Sequence, residues 1–223
     1  MADISLRGEL WDNDSADVLR WWGWRDITAP MDIAAALEAA GGEDVTLLIN
    51  SPGGDMSVGL EIRSMLRRYK GNTTALFQGY GASAATLAAT GCRTIQSEPG
   101  ALLCYHNPSG GAEGDFRDMR RAAEALRNAR DCILEVYTAR GGTKTREELM
   151  TLMDKDIWIT PTQAMEYGHG GGGSGVLCGD GVRTHPADGG HAGTVSGPCC
   201  GPAGGRGPEG TGQMHSGTAQ GAC

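Results

Sequence analysis

The feature that most constrains the fold of this chain is a regular alternation of strand-like and helix-like segments over residues 1–168. Residues 45–49 form a continuous apolar run, which is typical of a strand buried on both faces of a parallel sheet. Residues 56–68 follow, with Val58, Ile62 and Leu66 at the four-residue spacing of one helix face. Because strands and helices continue to alternate, the sequence predicts an α/β fold.

The remaining segments fit the same alternation. Thr145 and Glu148 have the spacing of a helix capping box, and Thr160 followed by Pro161 is typical of a helix start. We predict further strands over residues 4–10, 73–77, 93–96 and 102–105, and further helices over residues 32–40, 83–90, 115–140, 145–153 and from 160 onward.

The composition changes sharply after Gly168. Residues 169–223 contain no Phe, Trp or Tyr, and 20 of the 37 glycines lie in residues 168–223. Such a segment cannot bury enough apolar surface to offset its ordering entropy. We therefore predict one domain over residues 1–168 and a disordered, glycine-rich tail over residues 169–223. The tail's His185, His191, Cys199 and Cys200 match no zinc-binding spacing, so neither a metal nor a cofactor is expected.

Charge and hydropathy exclude several classes of protein. The formal net charge of −8 argues against a nucleic-acid partner. No apolar run approaches the ~18 residues of a membrane span, and the amino terminus has no signal-peptide pattern. The seven cysteines include no CxxC pair, which favours free thiols in a reducing compartment. We expect a cytoplasmic protein that does not bind membranes.

A hydroxyl nucleophile is indicated by residues 79–86, Gly-Tyr-Gly-Ala-Ser-Ala-Ala-Thr. Ser83 lies at the predicted strand-to-helix junction, where unpaired N–H groups favour a developing negative charge. The small neighbouring residues leave room for a substrate backbone. The alternative interpretation is that Ser83 only caps a tightly packed helix.

His106 is the candidate base, because it is the only histidine before the glycine-rich tail and a serine needs a base to attack near neutral pH. Alternatively, it is a structural histidine at a strand end. Asp154 and Asp156 precede the last helix, and either carboxylate could orient the imidazole. Both could instead be solvated loop residues.

An oxyanion hole is indicated by residues 51–54, Ser-Pro-Gly-Gly, which follow a buried strand and precede a helix. Glycine lets the backbone turn its N–H groups into a cleft. One N–H from this turn and that of Ala84 would hold an oxyanion beside Ser83. The turn matches neither common phosphate-binding glycine pattern.

Four motifs together resemble the Clp protease proteolytic subunit family. They are residues 49–54, 81–85, 105–108 and 156–160, and the last is followed by the Ala-Met-Glu-Tyr-Gly of residues 164–168. The resemblance covers residues 3–168. It implies a crotonase-like, ClpP-like fold of stacked βαβ units with a long handle helix over residues 115–140. It also implies a catalytic triad of Ser83, His106 and Asp156, and an oxyanion hole formed by Gly54 and Ala84.

Within that family, residues 19–24 (Leu-Arg-Trp-Trp-Gly-Trp) are similar to a stretch of the phage and prophage head maturation proteases. The resemblance implies a protein or peptide substrate, a homo-oligomeric ring, and an AAA+ unfoldase or phage capsid proteins as candidate partners. It also implies a location in the cytoplasm or a phage prohead. Lys155 replaces the arginine of cellular members and cannot make its bidentate contact, which argues against the usual coupling of rings.

Two other functions stay open at this point. One is a catalytically inactive ring-forming structural or scaffold protein. The other is a crotonase-type acyl-CoA enzyme, which also uses paired backbone amides to hold an oxyanion. The pairing of Ser83 with a downstream His106 favours the serine endopeptidase over both.

Overall fold

The computed structural model of the chain describes residues 1–168, in which a seven-stranded sheet is the central element. Its strand order is β2-β1-β3-β4-β6-β7, and β5 also pairs with β4. Every strand pair is parallel except β6 with β7, which is antiparallel. The strands are β1 (Ala2–Leu10), β2 (Ile27–Thr28), β3 (Val45–Gly54), β4 (Thr73–Ala82), β5 (Thr94–Ser97), β6 (Leu102–Cys104) and β7 (Trp158–Ile159).

Helices connect these strands, as the α/β prediction requires. The capping box predicted at Thr145 is formed, Thr160 caps the last helix as predicted, and the helix predicted over residues 56–68 has those bounds. The helices are α1 (Asn13–Trp21), α2 (Pro30–Ala39), α3 (Met56–Arg68), α4 (Ala84–Ala89), α5 (Phe116–Thr138), α6 (Arg146–Lys155) and α7 (Pro161–Glu166).

Three elements were not predicted, namely α1, β2 and β7. The two strands have only two residues each, so pairing with a neighbouring strand defines them rather than any local pattern. Helix α1 begins after Asp12, whose side chain accepts a hydrogen bond from the Ser15 N–H. Strands β3 and β4 also run five residues beyond their predicted ends, because interstrand pairing keeps their glycine-rich ends extended.

Helices α3 and α4 pack closely because the residues between them are small. A Cβ added to Gly59 of α3 would lie 2.5 Å from the Ala84 carbonyl oxygen. All six residues of α4 are buried against this helix and the sheet. The tight packing fixes α4 on the sheet, and with it Ser83, which immediately precedes the helix.

The long helix α5 is buried only near its end. Ile133, Leu134 and Tyr137 belong to the core, whereas Phe116 is 63% exposed and Met119 is also exposed. The helix therefore packs on the domain only in its second half. The first half has an apolar surface that residues 1–168 do not cover.

Within residues 1–168, no helix is both long and apolar enough to cross a membrane. The tail predicted over residues 169–223, with His185, His191 and the cysteines beyond Gly168, lies outside the described residues.

Candidate active site

Ser83 occupies a sharp junction between β4 and α4. Its backbone dihedrals are φ 54° and ψ −128°, and its N–H donates to the Cys104 carbonyl at 3.1 Å. Its hydroxyl makes no capping bond to α4, so the interpretation of Ser83 as a side-chain cap gains no support. The junction instead holds the hydroxyl at the carboxyl end of β4.

Positive φ marks two non-glycine residues among residues 1–168, Ser83 and Asp156. Aspartate tolerates the left-handed conformation that Asp156 adopts at φ 49° and ψ 52°. The dihedrals of Ser83 lie outside that region and cost on the order of 1–3 kcal/mol, which the surrounding packing must offset. Such strain concentrates at functional sites, and here both residues were predicted from the sequence to be catalytic.

The sheet register brings together the segments that carry the three predicted catalytic residues. Ala82 pairs with Cys104 across β4 and β6, which sets Ser83 beside the segment that leads to His106. Cys104 pairs in turn with Trp158 of β7, two residues after Asp156.

The imidazole of His106 is held by its neighbour's backbone. Its Nδ1 lies 2.8 Å from the Asn107 carbonyl oxygen. Because a carbonyl oxygen only accepts hydrogen bonds, Nδ1 must carry the proton, and Nε2 of the neutral ring keeps its lone pair. This is the tautomer that a general base requires.

The two candidate acids lie on either side of this histidine. Asp156 accepts a hydrogen bond from the Cys104 thiol, with Sγ and Oδ1 3.6 Å apart, and Asp154 accepts one from the Asn107 side-chain amide at 2.8 Å. Burial, and after it the Asp156 charge, raises the pKa of the Cys104 thiol to about 12, so the thiol stays protonated as the donor. Within residues 1–168, no hydrogen bond joins Ser83, His106 and either aspartate to one another.

The glycine turn at residues 51–54 is locked by the buried hydroxyl of Ser51. This hydroxyl donates to the Gly8 carbonyl at 2.6 Å and accepts from the Gly53 N–H at 3.0 Å. Gly54 pairs with Leu10 of β1, and the next N–H, that of Asp55, donates to the Leu10 carbonyl at 2.9 Å. In a parallel ladder, this pattern leaves the Gly54 N–H directed away from β1.

The locked turn lies directly against the nucleophile. A Cβ added to Gly53, whose φ is 93°, would lie 2.6 Å from the Ser83 Cβ and 2.9 Å from the Ala84 nitrogen. Ala84 is the first residue of α4, where N–H groups have no partner within the helix. The turn and the Ala84 amide therefore border the same space beside Ser83.

A pocket of about 460 Å³ adjoins the turn, and its lining includes Asn50, Pro52, Tyr80 and Trp24. Tyr80 packs edge to face on Trp158, with ring centroids 6.1 Å apart. Among residues 1–168, no group of three His, Cys, Asp or Glu side chains is arranged to hold a metal ion.

Comparisons with known proteins show the family and the fold of this chain. The family model described as Clp protease matches residues 28–169. The chain belongs to the Clp protease family. It is 30% identical over 178 residues to the "ATP-dependent Clp protease proteolytic subunit 1" of Leifsonia xyli, a match that covers 75% of this chain and 88% of that protein.

Other members of the Clp protease family match a shorter part. The "ATP-dependent Clp protease proteolytic subunit 1" of Streptomyces avermitilis is 34% identical over 129 residues, which is 56% of this chain and 58% of that protein. A solved structure of a ClpP1 point mutant from Listeria monocytogenes aligns with a TM-score of 0.58 at 20% identity, over 74% of this chain and 86% of that one. The structural match shows the fold.

Three local contacts were not predicted from the sequence. They are the lock formed by Ser51, the Asn107 carbonyl on His106, and the thiol of Cys104 on Asp156. Ser51 and Asn107 lie within recognised motifs, so the motifs located them but not their contacts. Cys104 gave no sequence signal, because its contact with Asp156 depends on the pairing of β6 with β7.

Proposed function

We propose that this protein is a serine endopeptidase that hydrolyses peptide bonds through Ser83, His106 and Asp156. The observation that carries the proposal is the strained backbone of Ser83, which lies against the glycine turn. Ser83 follows the end of β4, and His106 follows the end of the neighbouring strand β6. Membership of the Clp protease family supports the same reaction.

The proposed reaction proceeds through an acyl-enzyme. His106 Nε2 takes the proton of the Ser83 hydroxyl as Oγ attacks the scissile carbonyl carbon. The amides of Gly54 and Ala84 hold the oxyanion. Protonated His106 then gives its proton to the departing amine, and a water molecule, activated by the same nitrogen, hydrolyses the ester and restores Ser83.

Asp156 is the proposed acid, supported by its contact with Cys104, two residues before His106, and by the pairing of β6 with β7. In the structure, the Asn107 carbonyl holds Nδ1 instead. We propose that the ring turns from this carbonyl to Asp156 in the active state, which stabilises the imidazolium that forms during attack. Asp154 is the alternative acid. If Asp156→Asn lowers kcat far more than Asp154→Asn does, Asp156 holds the role, and the reverse result assigns it to Asp154.

We also propose assembly into a homo-oligomeric ring. The support is the uncovered apolar surface at the start of α5, where Phe116 and Met119 are exposed. The relatives are named as subunits of an ATP-dependent protease, which makes an AAA+ unfoldase a candidate partner. The exposed Trp21, Trp22 and Trp24 lie in the stretch that resembles the phage head maturation proteases. They support the alternative of capsid proteins as substrates in a prohead.

The experiment that tests the proposal is labelling with a biotinylated fluorophosphonate, which reacts only with an activated serine, followed by size-exclusion chromatography. We expect the protein and a Ser57→Ala control to be labelled and to cleave an unstructured fluorogenic peptide, and Ser83→Ala to do neither. Ser57 is an exposed serine on α3. A folded oligomer that is neither labelled nor active would refute the proposal and favour an inactive ring-forming scaffold.

A further inference from the structure

A second pocket, of about 500 Å³, lies at the amino-terminal ends of the central strands, at the opposite end of the strands from Ser83. It is bordered by the end of α3, the loop that enters β5 and the end of α5. Strands β3, β4 and β5 all begin at this end, whereas Ser83 follows the carboxyl end of β4. The pocket is therefore separate from the candidate active site.

Four arginines line this pocket, and no Asp or Glu does: Arg63, Arg67, Arg93 and Arg140. None of them forms an ion pair within residues 1–168, although the whole chain has a net charge of −8. Burial, together with the repulsion of neighbouring arginines, lowers the pKa of Arg63. No carboxylate of the described residues therefore forms an ion pair with any of these four arginines.

Arg93 lies at the rim and is partly engaged. Its Nη1 donates to the Gly71 carbonyl and, at 3.2 Å, to Asn72 Oδ1, and it interacts electrostatically with Asp44. Burial lowers the pKa of Arg140, the neighbouring Cys92 raises it, and repulsion by Arg67 lowers it. The uncompensated charge is therefore that of Arg63, Arg67 and Arg140.

Arg140 presents the most specific feature of the pocket. Its Nη1 donates to the Cys92 carbonyl at 2.6 Å and to the Thr90 carbonyl at 3.4 Å. Its Nε and Nη2 atoms are buried and have no hydrogen-bond partner in the described part of the chain. These two nitrogens form one edge of the guanidinium, the planar fork that binds two oxygens of a phosphate or carboxylate. Charged donors left buried without an acceptor are destabilising.

We propose that this pocket binds the phosphoryl group of a small anionic ligand, either inorganic phosphate or a nucleoside phosphate. The free edge of Arg140 donates hydrogen bonds to two of its oxygens, and Arg63 and Arg67 balance its double negative charge. A dianion suits three arginines better than a monovalent carboxylate does. The volume exceeds that of a lone phosphate, so an attached nucleoside also fits. Binding requires a side chain to move, because both nitrogens are now shielded from water.

Isothermal titration calorimetry of the full chain in phosphate-free buffer tests this inference, with inorganic phosphate in one arm and ADP in the other. We expect saturable binding in at least one arm, and tighter binding of ADP would identify a nucleotide as the source of the phosphoryl group. Arg67→Gln and Arg140→Lys should each weaken binding about tenfold or more. The first variant removes a positive charge, and the second keeps the charge but removes the planar pair of N–H donors.

Arg120→Gln provides the matched control, because it removes one positive charge from α5 near the opposite end of that helix. The affinity of Arg120→Gln for phosphate and for ADP should equal that of the parent protein. Arg140 also holds two backbone carbonyls, so the folding of Arg140→Lys is checked by circular dichroism. If Arg140→Lys does not fold, the binding affinity of Arg67→Gln tests the proposal instead, because Arg67 is exposed. The proposal is overturned if neither ligand binds saturably, or if Arg67→Gln binds as tightly as the parent. This readout does not depend on peptidase activity.

Discussion

Ser51→Ala should destabilise the protein far more than the loss of one small side-chain oxygen suggests. The Ser51 hydroxyl is buried between two backbone groups, accepting from the Gly53 N–H and donating to the Gly8 carbonyl. Alanine leaves both groups without their partner, and the space left by one oxygen is too small to admit a water molecule. The turn against Ser83 then loses one of the contacts that tie it to β1.

The magnitude follows from the two lost bonds. A buried backbone group that loses its partner costs about 1–3 kcal/mol, so the pair should cost about 2–6 kcal/mol. Small domains are stable by only about 5–15 kcal/mol, so this is a large fraction of the free energy of unfolding. With a urea m-value of about 2 kcal/mol/M, the midpoint of unfolding should fall by ~1–3 M.

Urea unfolding followed by tryptophan fluorescence measures this midpoint, with all variants at one protein concentration because assembly contributes to stability. Ser57→Ala is the matched control, because its hydroxyl also donates a hydrogen bond, to Asp55, but at an exposed position. The control should change the free energy of unfolding by less than about 0.5 kcal/mol. Equal midpoints for Ser51→Ala and Ser57→Ala would refute the reasoning that Ser51 locks the turn.

Two further predictions concern the turn and the thiols. Gly53→Ala should abolish fluorophosphonate labelling, because φ is 93° and the added Cβ would lie 2.6 Å from the Ser83 Cβ; retained labelling would show that the turn does not touch the nucleophile. Burial first of all raises the pKa of Cys92 and of Cys104 to about 12, so both thiols stay protonated up to pH 9 and should resist iodoacetamide in the folded protein. The exposed Cys132 should react under the same conditions, and all three should react in urea. Mass spectrometry of the separate peptides measures each site, and early modification of Cys104 would contradict its assigned burial.

Short-range patterns in the sequence were sufficient for most elements of the fold. The spacing of Val58, Ile62 and Leu66 predicted α3 with its observed bounds, and the capping residues predicted where α6 and α7 begin. These signals succeed because helix faces and caps depend on residues within one or two turns. Strands β2 and β7 were missed because two residues carry no period, and only a neighbouring strand makes them strands.

The candidate site divides in the same way. The sequence named Ser83, His106, Ala84 and the alternatives Asp154 and Asp156 from their places beside predicted strands and helices, and the family resemblance chose Asp156 and Gly54. Only the sheet register showed that β6 lies between β4 and β7 and so brings together the segments that carry Ser83, His106 and Asp156. The sequence also could not show that Asn107 holds the His106 ring, because that contact depends on the backbone path after β6.

By itself, the sequence determined the α/β class, the family resemblance and the chemical identity of the candidate residues. The tertiary structure alone decided the strained backbone of Ser83, the hydrogen bond of His106 Nδ1 to the Asn107 carbonyl, and the convergence of three arginines around one pocket, Arg63, Arg67 and Arg140. The physical reason is the separation along the chain over which the interactions act. Local patterns record preferences of adjacent residues, whereas strain and the meeting of distant charges arise only when packing between distant segments overrides those preferences.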